Sequence, residues 1–197
     1  MSTSEPETDR VFAETRAQWR TWLADNHKRP TGVWLVSWKQ HTGRPRMTYD
    51  ESVEEALCFG WVDSKGRKLD DDHTMLWFAP RKPSSAWSRS NKERVARLEA
   101  AGLMQPAGLA VVQAAKSSGA WTRLDEVEDL VVPDDLAAAF DAHPGARRHW
   151  DGFPRSVRRG ILEWIVQARR AQTRAKRIAE TAERAARGER ANQWGER

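Results

Sequence analysis

The segment between residues 61 and 91 carries the side chains best suited to binding a small polar or anionic ligand. Asp63 lies two residues into a predicted strand, where a carboxylate serves neither as a helix cap nor as a turn residue. An arginine can bind an anionic group through two parallel hydrogen bonds, and an indole can stack on a flat ligand. We therefore predict a ligand site, with no catalytic residue assigned, formed by Asp63, Arg81, Trp87, Ser88 and Asn91.

The same residues also have a purely structural interpretation, which stays open at this point. Asp63 could pair with Arg81, Asn91 could cap the turn at Ser88, and Trp87 could be a large core residue. Whether the protein is an enzyme is also left open. An enzyme acting on an unidentified small anionic substrate is the alternative to simple ligand binding.

Other common chemistries find little support in the residue pattern. Cys58 lies at the end of a predicted helix, where the helix dipole disfavours a thiolate, so we expect a buried thiol. The five histidines form no HExxH motif, and the acidic run at 70–73 is typical of a surface turn. No glycine-rich phosphate loop or GxSxG motif occurs. We therefore predict no metal and no cofactor.

The positive charge is concentrated near the C-terminus. The net charge is +5, and residues 146–197 hold 14 Lys or Arg against 6 Asp or Glu. Such helices could bind nucleic acid or another anionic surface. No pattern that reads bases is present, which argues against nucleic acid. The other interpretation is a solvated face whose arginines pair with Glu163, Glu180 and Glu183 at helical spacing.

The composition excludes two classes of protein. With 39% hydrophobic residues, 31% charged residues and a single cysteine in 197 residues, the chain is neither disordered throughout nor stapled by disulfides. No apolar run is long enough to span a membrane, and the first ten residues lack the pattern of a secretory signal. We therefore expect a soluble, cytoplasmic protein.

The elements that position the predicted site form an α+β fold. We predict a helix-rich chain with a small antiparallel sheet, made from a strand at 32–39 and a hairpin at 61–79. A capping box of Thr48 and Glu51 begins a helix to about residue 59, and a second, Ser90 with Glu93, begins another. Further helices are predicted near residues 12–25, 104–119, 134–142, 147–151, 154–169 and 172–187.

Residues 120–133 lack clear periodicity and are predicted to connect two domains. The predicted limits are an α+β domain at 10–120, a helical module at 133–188 and flexible ends at 1–9 and 189–197. The last helix has a thin stripe of alanines, which bury little area. It must therefore either pack closely on a neighbour or fray, and a neighbour in a second copy of the chain stays possible, so a homo-oligomer stays open.

Several long segments resemble one known family. They are GVWLVSWKQHTGRP (32–45), TYDESVEEALCFGWVDS (48–64), LWFAPRKPSSAWSRSNKERVARLEAAGLMQPAGL (76–109) and TRAKRIAE (173–180). In this order they are similar to the bacteriocin-protection, YdeI/OmpD-associated family. The resemblance implies a bacterial stress or bacteriocin-protection protein whose helical C-terminal part is the namesake module. It implies no reaction or cofactor, and the missing signal sequence does not favour direct contact with a porin.

Overall fold

The computed structural model describes residues 9–192 and divides into two compact units. Within this range, unit 1 comprises residues 9–85 and 90–121, and unit 2 comprises residues 86–89 and 122–192. The predicted limits of the two domains stay predictions. Most of the predicted flexible ends, 1–9 and 189–197, lies outside the described residues.

Unit 1 contains both strands and helices. Its elements in chain order are β1 (Arg10–Phe12), α1 (Arg16–Asn26), β2 (Val33–Trp38), α2 (Tyr49–Cys58), β3 (Trp61–Lys68), β4 (His73–Pro80), α3 (Arg89–Ala100, from Ser90 onward) and α4 (Pro106–Ser117). Unit 2 is helical. Its elements are α5 (Asp125–Glu128), α6 (Asp134–Asp141), α7 (Ala146–Gly152), α8 (Arg155–Val166) and α9 (Ala171–Ala186). The predicted helix-rich α+β class with a helical C-terminal part is confirmed.

The strands of unit 1 form one sheet with the order β1-β2-β4-β3. β2 pairs antiparallel with β4, and β4 pairs antiparallel with β3, as predicted. β1 pairs parallel with β2, so the sheet is mixed and the prediction of a purely antiparallel sheet is wrong. The cause is α1, which connects β1 to β2 and returns the chain in the same direction. Phe12 fits the spacing of that helix, which hid the three-residue strand.

Two helices cover one face of this sheet. Trp19 of α1 is fully buried, lies 5.3 Å from Phe78 of β4 between ring centroids, and donates its indole N–H to the carbonyl of Ser52 at 3.1 Å. Trp61 is buried in the same way and donates to the carbonyl of His27 at 2.9 Å. Both indoles therefore supply apolar area without leaving an unsatisfied donor.

Of the two predicted capping boxes, one begins a helix and the other does not. Thr48 caps α2, and Glu51 completes the capping box, as predicted. α3 begins at Arg89, so Ser90 lies inside the helix and its predicted capping box is wrong. The S-x-x-E pattern there coincides with the helix but does not begin it. The predicted connector at 120–133 contains the one-turn helix α5.

The core of unit 2 lies between α9 and the helices that precede it. Ile161 and Ile165 of α8 and Trp150 of α7 are buried in it. Ala182 and Ala185 of α9 are fully buried, so this part of the alanine stripe packs closely within its own chain, whereas Ala171 and Ala175 are exposed. Whether the exposed start of α9 contacts a second copy of the chain stays a prediction.

Candidate functional site

The five residues predicted to bind a ligand are divided between the two units. Asp63, Arg81 and Asn91 belong to unit 1, whereas Trp87 and Ser88 belong to unit 2. Trp87 is 1% exposed and Arg81 is 7% exposed. A ligand site formed by all five stays a prediction.

In unit 1, Asp63 holds the hydroxyl of the single tyrosine in the chain. Tyr49 begins α2 and donates its hydroxyl to Oδ2 of Asp63 on β3 at 2.8 Å. Partial burial, followed by the hydrogen bond to Asp63 and the charge of Asp63, raises the pKa of Tyr49 to about 12. Tyr49 is protonated at neutral pH, and the hydrogen bond to Asp63 positions its hydroxyl.

Arg81 lies directly after β4, where its backbone N–H donates to the carbonyl of Gly60 at 2.9 Å. Burial lowers the pKa of the guanidinium to about 10, and the negative charge of Asp63 opposes that shift. Arg81 stays protonated at neutral pH. The carboxylate of Asp63 thus acts on both a phenol and a buried guanidinium.

Asn91 is engaged with a second arginine. Nη1 of Arg94 donates to the side-chain oxygen of Asn91 at 2.9 Å, and Nη2 of Arg94 donates to Asp50 at 2.5 Å. Asp50 follows Tyr49 in the first turn of α2, so Arg94 connects α3 to the start of α2. This polar cluster fixes the helix end that carries Tyr49.

A cavity of about 230 Å³ is lined in part by Tyr49 and belongs entirely to unit 1. We call it the unit 1 cavity. Its lining residues come from β2, β3, β4, α2 and the loop before α2: Leu35, Ser37, Trp38, Arg46, Met47, Thr48, Tyr49, Ser52, Gly66, Thr74, Met75 and Leu76. In the sheet, Leu35 pairs with Leu76 and Ser37 pairs with Thr74, so these side chains share one face.

Arg46 supplies the only charge among the lining residues. It makes no ion pair with another residue of the described range, whereas Arg16, Arg20 and Arg94 of the same unit contact carboxylates. Four of the five hydroxyl groups in the lining already donate hydrogen bonds within the protein. They are those of Thr48, Tyr49, Ser52 and Thr74.

Gly66 leaves room at the edge of this cavity. A register shift in β3 separates Asp63 from Gly66, and Gly66 pairs with Leu76. A Cβ atom built at Gly66 would meet only the carbonyl of Met75, at 4.0 Å. Paired residues point to the same side of a sheet, so the missing side chain would lie on the face of Leu76.

Sequence reasoning missed Arg46, Tyr49 and Gly66. Arg46 reads as a loop residue, and Tyr49 reads as the ordinary first residue of a capped helix. The one available signal is Gly66, because an isolated glycine in a strand pattern indicates a bulge or an open space.

The remaining candidate chemistry is limited. Cys58 is buried as predicted, and its burial raises the pKa of the thiol. Within residues 9–192, no cluster of three or more His, Cys, Asp or Glu side chains is arranged to hold a metal ion. In the acidic turn, His73 pairs with Asp70 at 2.9 Å. No helix in the same range has the length and apolar character needed to cross a membrane.

Two family models match different parts of the chain. The model described as Domain of unknown function (DUF8412) matches residues 11–111, which is more than half of the chain, and the model described as Bacteriocin-protection, YdeI or OmpD-Associated matches residues 129–188. The chain belongs to the DUF8412 family and carries a YdeI/OmpD-associated module. Searches of curated proteins and of solved structures gave no match.

The predicted YdeI/OmpD-associated family is therefore confirmed for residues 129–188, which include α6 to α9. Of the segments on which the resemblance was based, only 173–180 falls within that module. The segments 32–45, 48–64 and 76–109 fall within the DUF8412 match instead. All residues that line the unit 1 cavity also belong to the DUF8412 part.

Proposed function

We propose that the protein is a bacteriocin-protection-type protein whose DUF8412 part binds a small anionic ligand in the unit 1 cavity. The match of residues 129–188 suggests the protective role. The predicted cytoplasmic location, bacterial source and part in stress resistance belong to this proposal. The cavity includes Gly66 and Leu76 of the predicted segment 61–91, and Arg46 of a preceding loop is the proposed main contact of the ligand.

The observation that carries the proposal is the environment of Arg46. A guanidinium that lines a cavity and has no carboxylate partner in the described range can accept the charge of a ligand. A ligand carboxylate or phosphate would supply that partner through two parallel hydrogen bonds.

Three of the residues predicted from the sequence have a positioning role in this proposal. Asp63 accepts the hydrogen bond of Tyr49 at the cavity wall, and the negative charge of Asp63 favours the protonated form of the buried Arg81. Asn91 orients Arg94, which contacts the start of α2 through Asp50. Ligand binding by Trp87 and Ser88 stays a prediction outside this proposal.

The alternative of an anionic-surface or nucleic-acid binder has weaker support. Arg159 pairs with Glu163 at 2.9 Å and Arg184 pairs with Glu180 at 3.2 Å, both at the expected helical spacing. Arg174 contacts Asp135 through two nitrogens, at 2.7 and 2.9 Å. These pairs neutralise part of the basic face. No specific observation favours the enzyme alternative.

The proposal is tested by measuring anion binding to the full chain. Amide chemical shifts are followed by NMR during titration with benzoate and with inorganic phosphate. We expect at least one anion to shift residues around the cavity in the wild type and in Arg44→Gln, and to need about tenfold higher concentrations in Arg46→Gln. Arg44 is a matched control because it lies in the same loop, outside the cavity lining, over the ring of Trp38 at 5.1 Å. Binding that does not depend on Arg46 would refute the proposal.

The protective role is tested in cells that produce each variant at equal level. We expect Arg46→Gln to lose protection against a bacteriocin while Arg44→Gln retains it. Thermal unfolding of the purified variants is the control for folding. Full protection by Arg46→Gln would separate the protective role from the cavity and overturn that part of the proposal.

A further inference from the structure

The unit 1 cavity has a size and a lining that narrow the class of its ligand. We infer that it takes an amphipathic monoanion, an aromatic or branched aliphatic monocarboxylate, and that the absent side chain of Gly66 makes room for the apolar body. This inference rests on the proposed function and specifies its ligand.

The volume sets the size of the ligand. An engineered apolar cavity of about 150 Å³ holds benzene, which has six non-hydrogen atoms. In proportion, the cavity of about 230 Å³ holds about nine such atoms. This is the size of benzoate and much smaller than a nucleotide.

The walls determine the polarity of the ligand. Leu35, Leu76 and Met47 present apolar surface, and Met47 is itself 5% exposed. Most hydroxyl groups of the lining already donate within the protein, so few remain for the hydroxyl groups of a sugar. A polar ligand would find few free donors in this lining to replace its hydrogen bonds to water, whereas an apolar ring would gain from burial.

The charged residues at the cavity favour a ligand with a single negative charge. Arg46 is one cation, and it can hold one carboxylate in a bidentate pair. Asp63 accepts from the Tyr49 hydroxyl at 2.8 Å, so its negative potential reaches the cavity wall, whereas the charge of Asp50 is paired with Arg94. A second negative charge on the ligand would meet this potential with no second lining cation to offset it. A monoanion is therefore favoured over a phosphate or a dicarboxylate.

The absence of a side chain at Gly66 leaves room in the cavity for the apolar part of the ligand. A side chain at this position would extend from the sheet beside Leu76, and a Cβ atom there meets nothing closer than 4.0 Å. Its φ lies outside the left-handed region, so other residues can adopt the same backbone. Valine at this position would place three carbon atoms where the ligand body lies, and valine suits a strand.

The experiment compares three probes on the full-length protein by isothermal titration calorimetry: benzoate, benzyl alcohol and inorganic phosphate. We expect benzoate to bind at least about tenfold more tightly than either of the others, since the pair with Arg46 and the buried ring both contribute. Arg46→Gln should weaken benzoate about tenfold, and Arg44→Gln should leave it unchanged within about twofold. Gly66→Val should weaken benzoate about tenfold or more without lowering the melting temperature.

The outcomes separate the inference from the proposed function. Phosphate that binds through Arg46 more tightly than benzoate would overturn the inference and leave the proposed function in place. Benzyl alcohol that binds as tightly as benzoate would overturn the inference that the cavity takes a carboxylate. Benzoate that binds Gly66→Val as tightly as the wild type would overturn the role of Gly66. If Gly66→Val does not fold, Gly66→Ala replaces it, with a smaller expected loss. Absence of binding by every anion would refute the proposed function and the inference together.

Discussion

Substitution of Asp63 by Asn should lower the pKa of Tyr49. The substitution keeps an oxygen that accepts the hydrogen bond of the Tyr49 hydroxyl, but it removes the negative charge that disfavours the tyrosinate. It therefore separates the electrostatic effect of Asp63 from its effect on packing. Asp50→Asn is the matched control, because Asp50 is the last and smallest cause of the shift and is paired with Arg94.

The expected fall in the pKa of Tyr49 is limited because Asp63 is not the main reason why that pKa is high. Burial is the largest cause and persists in the variant, so the pKa should fall from about 12 only part of the way toward its ordinary value, to roughly 11. At pH 11, about a tenth of the wild-type tyrosine and about half of the Asp63→Asn tyrosine should be ionised. Asp50→Asn should differ from the wild type by less than about 0.3 pH units.

The sign of the pH dependence follows from the raised pKa of Tyr49. The folded state holds the phenolic proton more tightly than the unfolded chain does, so this stabilising contribution is complete below pH 10. It is lost as the pH rises through about 12. Tyr49 is 55% exposed, so solvent screening should limit the lost free energy of unfolding to less than about 1 kcal/mol.

The chain has one tyrosine, so its ionisation can be followed without assignment. Tyrosine labelled with ¹³C at the ζ carbon gives one NMR resonance, whose shift is measured from pH 8 to 12. Circular dichroism at each pH confirms that the protein stays folded. A wild-type midpoint near 10, or an Asp63→Asn midpoint equal to that of the wild type, would refute the role assigned to Asp63.

Two further predictions concern stability. Glu55→Gln should lower the free energy of unfolding of unit 1 by about 2 kcal/mol, because this 4% exposed carboxylate accepts from two arginines. Glu54 lies farther from its arginines, at 3.3 and 3.2 Å, so Glu54→Gln should lower that free energy by less than about 1 kcal/mol. Urea titration measures both variants. Gly108→Ala should cost about 3 kcal/mol, because its Cβ would lie 2.3 Å from the carbonyl oxygen of Cys58. Gly152→Ala, with no atom within 4 Å, should stay within about 0.5 kcal/mol, and equal melting temperatures for the two alanine variants would count against this packing.

Features that depend on neighbouring residues could be predicted from the sequence. The capping box of Thr48 and Glu51 is one example, because all its hydrogen bonds join residues three apart. The burial of Cys58 followed from its apolar helix end. The helices of the YdeI/OmpD-associated module followed from the spacing of residues such as Ile161 and Ile165.

Features that depend on distant pairing could not be predicted in this way. β1 forms by pairing with residues 34–36, and its own three residues are too few to show the alternation of a strand. The unit 1 cavity is lined by residues far apart in the chain, such as Arg46, Gly66 and Leu76, and a register shift in β3 precedes Gly66. The chemistry of Asp63 was inferred from its residue type. Its contact with Tyr49 depends on how α2 packs beside β3.

The most direct test of the account is a crystal structure of the full chain with 4-iodobenzoate, whose iodine is located by anomalous scattering. We predict that the carboxylate lies within hydrogen-bond distance of the Arg46 guanidinium and that the ring lies against Leu35 and Leu76, with weaker density for the compound in Arg46→Gln crystals. Iodine found only outside the unit 1 cavity, or a carboxylate turned away from Arg46, would contradict it.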